Sequence, residues 1–142
     1  MKQTYITNSE EQTQQLAATF AKSLLPGDVI AMFGGMGMGK TCFVRGLAQG
    51  LGLTGEVSSP TFAIVNEYFG PTPLYHFDMY RVQSGDDLET TGYFDYLYAG
   101  RGIMAIEWSE NIVEDLPPHR YNVCFSGQQN TRTITIQRED TP

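Results

Sequence analysis

Basic residues are scarce in this chain. Nine Lys and Arg stand against sixteen Asp and Glu in 142 residues, a formal net charge of −7. No run of Lys or Arg builds a basic stripe, which argues against a protein that binds nucleic acid by itself. Cysteine is scarce too. Cys42 and Cys124 are the only two, they lack metal-ligand spacing, and they read as reduced thiols. No apolar run approaches the ~20 residues of a membrane-spanning helix, and no signal-peptide pattern opens the chain. The expectation is a cytoplasmic protein with no membrane partner. Repeats and low-complexity segments are missing as well. With 41% hydrophobic and 18% charged residues, the composition is that of a globular chain. Its length suits one domain over 1–142 with a sizeable core.

Glycine, by contrast, clusters where chemistry is expected. Gly34-Gly35-Met36-Gly37-Met38-Gly39-Lys40-Thr41 fits G-x-x-x-x-G-K-[ST], a phosphate-binding loop. Val29-Ile30-Ala31-Met32-Phe33 before it is an apolar run of strand length, and Cys42 to Leu51 after it reads as a helix. That context is the one the chemistry needs. Glycines let backbone N–H groups turn inward around a phosphate, and a helix start adds unpaired donors and partial positive charge. Lys40 would reach the outer phosphates and the Thr41 hydroxyl would ligate Mg²⁺. Gly35, Met36, Gly37, Met38, Gly39, Lys40, Thr41 and Cys42 are therefore the nucleotide-binding candidates, with Trp108 as a residue that either covers the nucleotide or sits in the core.

Taken in order, the chain alternates strands and helices. Gln3 to Ile6 reads as a strand. Ser9 with Gln12 has capping-box form, and Leu16, Phe20 and Leu24 recur every fourth residue, so a helix is expected over 9–25. Phe62 to Phe69 and Leu74 to Met79 read as an antiparallel hairpin. Short helices follow near Asp87 to Thr91 and Tyr93 to Ala99, then a strand at Ile103 to Glu107 and a short helix at Ser109 to Val113. Tyr121, Val123 and Phe125, then Thr131, Thr133 and Thr135, alternate as a C-terminal β-hairpin. The fold class expected is α/β, P-loop NTPase-like, with a mixed central sheet flanked by helices.

A phosphate loop needs an acid to hold the metal shell. Two strands end in acids, Asp78 and Glu107, and either can complete the site; the bland reading of each is a solvated acid at a sheet edge. Thr61, in Ser58-Ser59-Pro60-Thr61, lies where a mobile loop senses the γ-phosphate in switch proteins, or it belongs to an ordinary loop. His76 shares a strand face with Asp78 and is either a support for that acid or a structural histidine. His119 reads as surface. Arg81 and Arg101 either offer charge to a phosphate or form plain surface pairs.

The joined pattern of Gly34 to Thr41, Ser59-Pro60-Thr61-Phe62, His76-Phe77-Asp78-Met79-Tyr80-Arg81 and Glu107-Trp108 resembles the TsaE (YjeE) family, small bacterial ATPases of tRNA threonylcarbamoyladenosine synthesis. The similarity runs from the first helix to about Glu110. The family usually reads G-D-L-G-[small]-G-K-T in the loop, so Gly35 departs from it and no side-chain role is carried to that position. The resemblance implies ATP and Mg²⁺ as ligands, Thr41 and Glu107 at the metal with Asp78 close by, and Thr61 in a switch loop. It implies that Lys40, Thr61, Asp78 and Glu107 carry catalysis. It places the adenine near residues 7–13 and near Asn130 or Arg132. It implies the TsaD and TsaB proteins as partners, with tRNA met only through them. A small-molecule P-loop kinase and a non-catalytic nucleotide sensor are the alternatives. A GTPase is disfavoured because no N-K-x-D motif occurs.

Overall fold

The computed structural model describes residues 2–35, 37–53 and 65–140. In chain order they form β1 (Lys2–Thr7), α1 (Glu10–Ala21), β2 (Val29–Phe33), α2 (Lys40–Gly50), β3 (Val65–Tyr68), β4 (Leu74–Asp78), α3 (Gly85–Thr90), α4 (Tyr93–Ala99), β5 (Ile103–Glu107), a 3₁₀ segment (Ser109–Asp115), β6 (His119–Gln128) and β7 (Thr131–Asp140). One sheet holds the seven strands in the order β1-β7-β6-β2-β5-β4-β3. The inner four, β6, β2, β5 and β4, run parallel to one another. The outer pairings, β3 on β4, β7 on β6 and β1 on β7, are antiparallel.

Local composition explains this layout. Val29–Phe33 and Ile103–Glu107 are nearly continuous apolar runs, buried along almost their whole length, as strands covered on both faces must be. One face packs Ile30, Met32 and Ala105 against Ala17 and Ala21 of α1 and Phe43 and Leu47 of α2. The other packs Ala31, Phe77 and Ile106 against Leu88 of α3 and Tyr93 of α4. The antiparallel hairpin of β3 and β4 is as expected from sequence, over the described part of it.

One expectation needs correction: α1 ends at Ala21 rather than continuing to Leu25. Ser9 caps it, accepting from the Gln12 N–H at 3.1 Å, but its buried row is Thr13, Ala17 and Ala21. Leu16 and Phe20 lie beside that row, partly buried. The reason is α2. A Cβ on Gly46 would meet the Gln14 carbonyl and, at 2.6 Å, the Ala17 Cβ; one on Gly50 would meet the Ala21 Cβ at 2.8 Å. Two helices this close need small residues on both sides of the seam. The C-terminal hairpin forms as expected, and it joins the central sheet. β6 pairs along β2, with Met32 opposite Val123, and β7 in turn carries β1.

Candidate functional site

The loop after β2 leaves the sheet hard against β6. Gly34 has φ +140°, and an added Cβ would meet the Phe125 carbonyl oxygen at 2.7 Å, so both conformation and space demand glycine there. Gly37 and Gly39 take φ +75° and +102°. α2 then begins at Lys40 with Gly39 as its N-cap, which offers no side-chain acceptor to the first turn. Those N–H groups are the natural place for an anion.

Lys40 is buried, only 5% exposed, rather than on a surface loop. Its Nζ donates to the Gly34 carbonyl at 2.7 Å and lies 4.5 Å from the centre of the Trp108 ring. Trp108 is thus both partly packed on the core and laid over the loop lysine. It adopts φ +59°, ψ +42°, a left-handed conformation that costs a bulky residue free energy and clusters at functional sites. Its ring also packs on Tyr80, centroids 5.0 Å apart.

The two acids expected at strand ends meet. β4 and β5 are in register with Asp78 opposite Glu107, and the Met79 N–H donates to the Glu107 carbonyl at 3.1 Å. Glu107 is 6% exposed, and the fully buried His76 places Nε2 2.5 Å from its Oε2. Asp78 accepts from the Tyr80 N–H at 2.9 Å. Burial raises the Asp78 carboxyl above its ordinary range; the Tyr80 bond opposes this, the Glu107 charge adds to it, and His76 and Lys40 pull it down. All four ionisable groups therefore lie within electrostatic reach of one another.

Hard oxygen donors suit Mg²⁺, which commonly takes one or two carboxylates plus phosphate and water. Thr41 at the start of α2, with Asp78 and Glu107, is a donor set of that chemistry. Among the described residues no group of three or more His, Cys, Asp or Glu is arranged to hold a metal by itself, so phosphate oxygens would have to complete the shell.

Other predicted residues sort as follows. The Cys42 thiol turns to the Glu10 carbonyl on α1, 3.1 Å away, and burial raises its pKa; only its backbone is left to serve a ligand. Met38 packs against the α1–α2 core, and Gly35 is exposed with open space around it. Met36 and Thr61 lie outside the described residues, as does the rest of the Ser58-to-Thr61 stretch. Arg81 and Arg101 are exposed. His119 pairs with Asp140 at the surface, 3.2 Å apart. Arg132 does reach the loop: its Nη2 donates to the Gly37 carbonyl at 3.2 Å, and Nη1 donates to the Gln129 and Thr131 carbonyls. Thr13 reaches the same loop, its methyl 4.0 Å from where a Gly39 Cβ would stand, and its hydroxyl bonds that of Thr7 at 2.7 Å. Sequence reasoning missed Glu110, whose Oε2 accepts from the Gly34 N–H at 3.1 Å. No spacing rule points to that contact.

A parallel strand, a glycine loop with a buried lysine, a helix and adjacent acid-ended strands define a P-loop NTPase-like fold. A family model described as "Threonylcarbamoyl adenosine biosynthesis protein TsaE" matches residues 7–135, reaching well beyond the Glu110 limit of the motif resemblance. A relative from Bacillus subtilis (strain 168), named tRNA threonylcarbamoyladenosine biosynthesis protein TsaE, is 42% identical over 132 residues, 92% of this chain and 82% of the relative. One of the same name from Treponema pallidum (strain Nichols) is 37% identical over 134 residues, 92% of this chain and 97% of the relative. The crystal structure of Bacillus subtilis YdiB superposes with a TM-score of 0.82 at 34% identity, over 98% of this chain and 86% of that one. The chain belongs to the TsaE family.

Proposed function

We infer that this protein is a Mg²⁺-dependent ATPase that serves the threonylcarbamoyladenosine modification of tRNA, working with the TsaD and TsaB proteins and meeting tRNA only through them. One observation carries the ATPase reading. The buried Lys40 and the paired acids Asp78 and Glu107 converge at the mouth of the glycine loop. In this reading the loop N–H groups and Lys40 hold the phosphates, Thr41 and Glu107 hold the cation, and Asp78 supports its shell. Bound Mg²⁺ would supply charge neutralisation at the phosphate oxygens. Thr61 keeps its proposed role in sensing the γ-phosphate, and Arg132 and Thr13 sit on the side of the loop where the base is proposed to lie. The pathway is supported by the names of the relatives, and TsaD and TsaB as partners rest on the motif resemblance. No helix among the described residues is long and apolar enough to cross a membrane, and a cytoplasmic site of action is part of the proposal.

The test is ATP hydrolysis by wild type and Glu107→Gln in the presence of TsaD and TsaB, with ADP binding measured alongside. The expected result is a loss of turnover in Glu107→Gln with ADP still bound. Binding of ATP without hydrolysis by the wild type, partners present, would replace the ATPase reading with that of a nucleotide sensor.

A further inference from the structure

His76 is an oddity of β4. Its neighbours Tyr75 and Phe77 are buried apolar rings, and the residue opposite it on β5 is Ala105. An apolar side chain would fill this core position without polar cost. Instead an imidazole lies there with no solvent exposure, and its Nδ1 has no hydrogen-bond partner among the described residues. A buried acceptor left bare is unfavourable, so the other nitrogen must return something. It returns one bond, Nε2 to Oε2 of Glu107 at 2.5 Å, between side chains 0% and 8% exposed.

The chemistry of that bond fixes the ring. A carboxylate oxygen only accepts, so Nε2 carries the hydrogen and donates. The small Ala105 leaves room for the ring to lean along β5 toward Glu107, two residues further on. Glu107 otherwise has a flexible side chain at the end of a strand. With Oε2 held by His76, its remaining oxygen, Oε1, is the one available to a cation.

We propose that His76, donating from Nε2–H, is the positioning residue of Glu107: it locks the carboxylate's rotamer so that one oxygen faces the cation bound with the nucleotide. This rests on the reading of Glu107 as a cation ligand. Partners of this kind orient metal-binding side chains elsewhere, and their loss weakens metal affinity about 10- to 100-fold.

The experiment uses Mn²⁺ as the probe, its binding to the protein–ADP complex read by electron paramagnetic resonance. His76→Asn keeps a polar group near Nδ1 but cannot reach Glu107. His76→Gln carries an N–H donor to about the place of Nε2. Glu107→Gln removes the carboxylate charge. The expected result is a loss of about tenfold or more in Mn²⁺ affinity for His76→Asn, near-normal affinity for His76→Gln, and a loss at least as large for Glu107→Gln. ADP affinity without metal stays unchanged in both His76 variants. A loss in Glu107→Gln with none in His76→Asn overturns the positioning role alone. Unchanged Mn²⁺ affinity in Glu107→Gln overturns the ligand reading and the proposal with it. A nitrogen NMR spectrum of the metal-free wild type decides the matter even if His76→Asn does not fold. The chain has two histidines, so assignment is direct. A hydrogen on Nε2 is expected for His76, and a ring that carries its hydrogen at Nδ1 alone overturns the proposal.

Discussion

Lys40 shows how a residue can stand out in a motif while its setting stays hidden. A phosphate-loop lysine was legible from eight positions of sequence; its burial under Trp108 was not, because the left-handed backbone that lays the indole there has no local signature. The setting sharpens the expected effect. Lys40→Ala removes a buried charged donor, worth about 1.5–3 kcal/mol to a phosphate partner, so ATP affinity should fall about 10- to 100-fold while circular dichroism stays unchanged. Equal affinity by calorimetry would remove Lys40 from the site. Asp78 offers a second test. Burial raises its pKa above the unfolded value, so ionised Asp78 costs stability. That cost is absent below the unfolded pKa, grows as pH rises through the folded one, and is constant above it. Asp78→Asn should therefore raise the melting temperature of the nucleotide-free protein by a few degrees or so at pH 7. The gain should shrink as pH is lowered toward 4. An equal or lower melting temperature at pH 7 would count against the burial argument.

Among the elements, those with strong periodicity were legible. Val29–Phe33 and Ile103–Glu107 emerge as strands with the bounds their apolar runs indicate, and Tyr93–Ala99 as a helix. What pattern could not give was adjacency. Nothing in Tyr121–Phe125 announces that β6 lies beside β2, since parallel partners are chosen by tertiary packing rather than by neighbouring residues. The α1 stripe was misread for a related reason: the closest helix seam is made of small residues, which carry little hydrophobic signal. That seam is testable. Gly46→Ala gains about 1 kcal/mol in helix propensity, but the new methyl meets a backbone carbonyl and the Ala17 Cβ at 2.6 Å. Overpacking of this kind costs up to about 3 kcal/mol, and a backbone atom cannot swing aside. The expected net loss is about 1–2 kcal/mol in urea unfolding. Gly35→Ala, whose new methyl meets nothing within 4 Å among the described residues beyond its chain neighbours, should leave the unfolding midpoint unmoved.

For the whole molecule, the acidic balance of −7 suits a subunit that meets tRNA through other proteins. The arginines considered as a charge on the phosphate, Arg81 and Arg101, stay at the surface, and Arg132, named for the adenine side, donates to three backbone carbonyls. An arginine supplied in trans raises phosphoryl transfer by ~10³-fold or more in related systems. We therefore expect slow ATP hydrolysis by the isolated chain and a large rise when TsaD and TsaB are added at saturating Mg²⁺-ATP. Steady-state rates that do not change on adding the pair would make this a self-sufficient ATPase.

The seat of β6 beside β2 also has a consequence for how the protein is made. While a ribosome is still extending the chain, the strand that feeds the glycine loop has one flank bare, because Tyr121–Cys124 are not yet there to pair with it. Gly34 lacks its wall at Phe125. Among the described strands β1 waits longest, since Lys2 pairs with Gln137. Contacts so far apart in sequence form slowly. The glycine-loop site is thus assembled only when the closing hairpin docks, and on the proposed function a nascent chain stalled before β6 should hold no ATP at all.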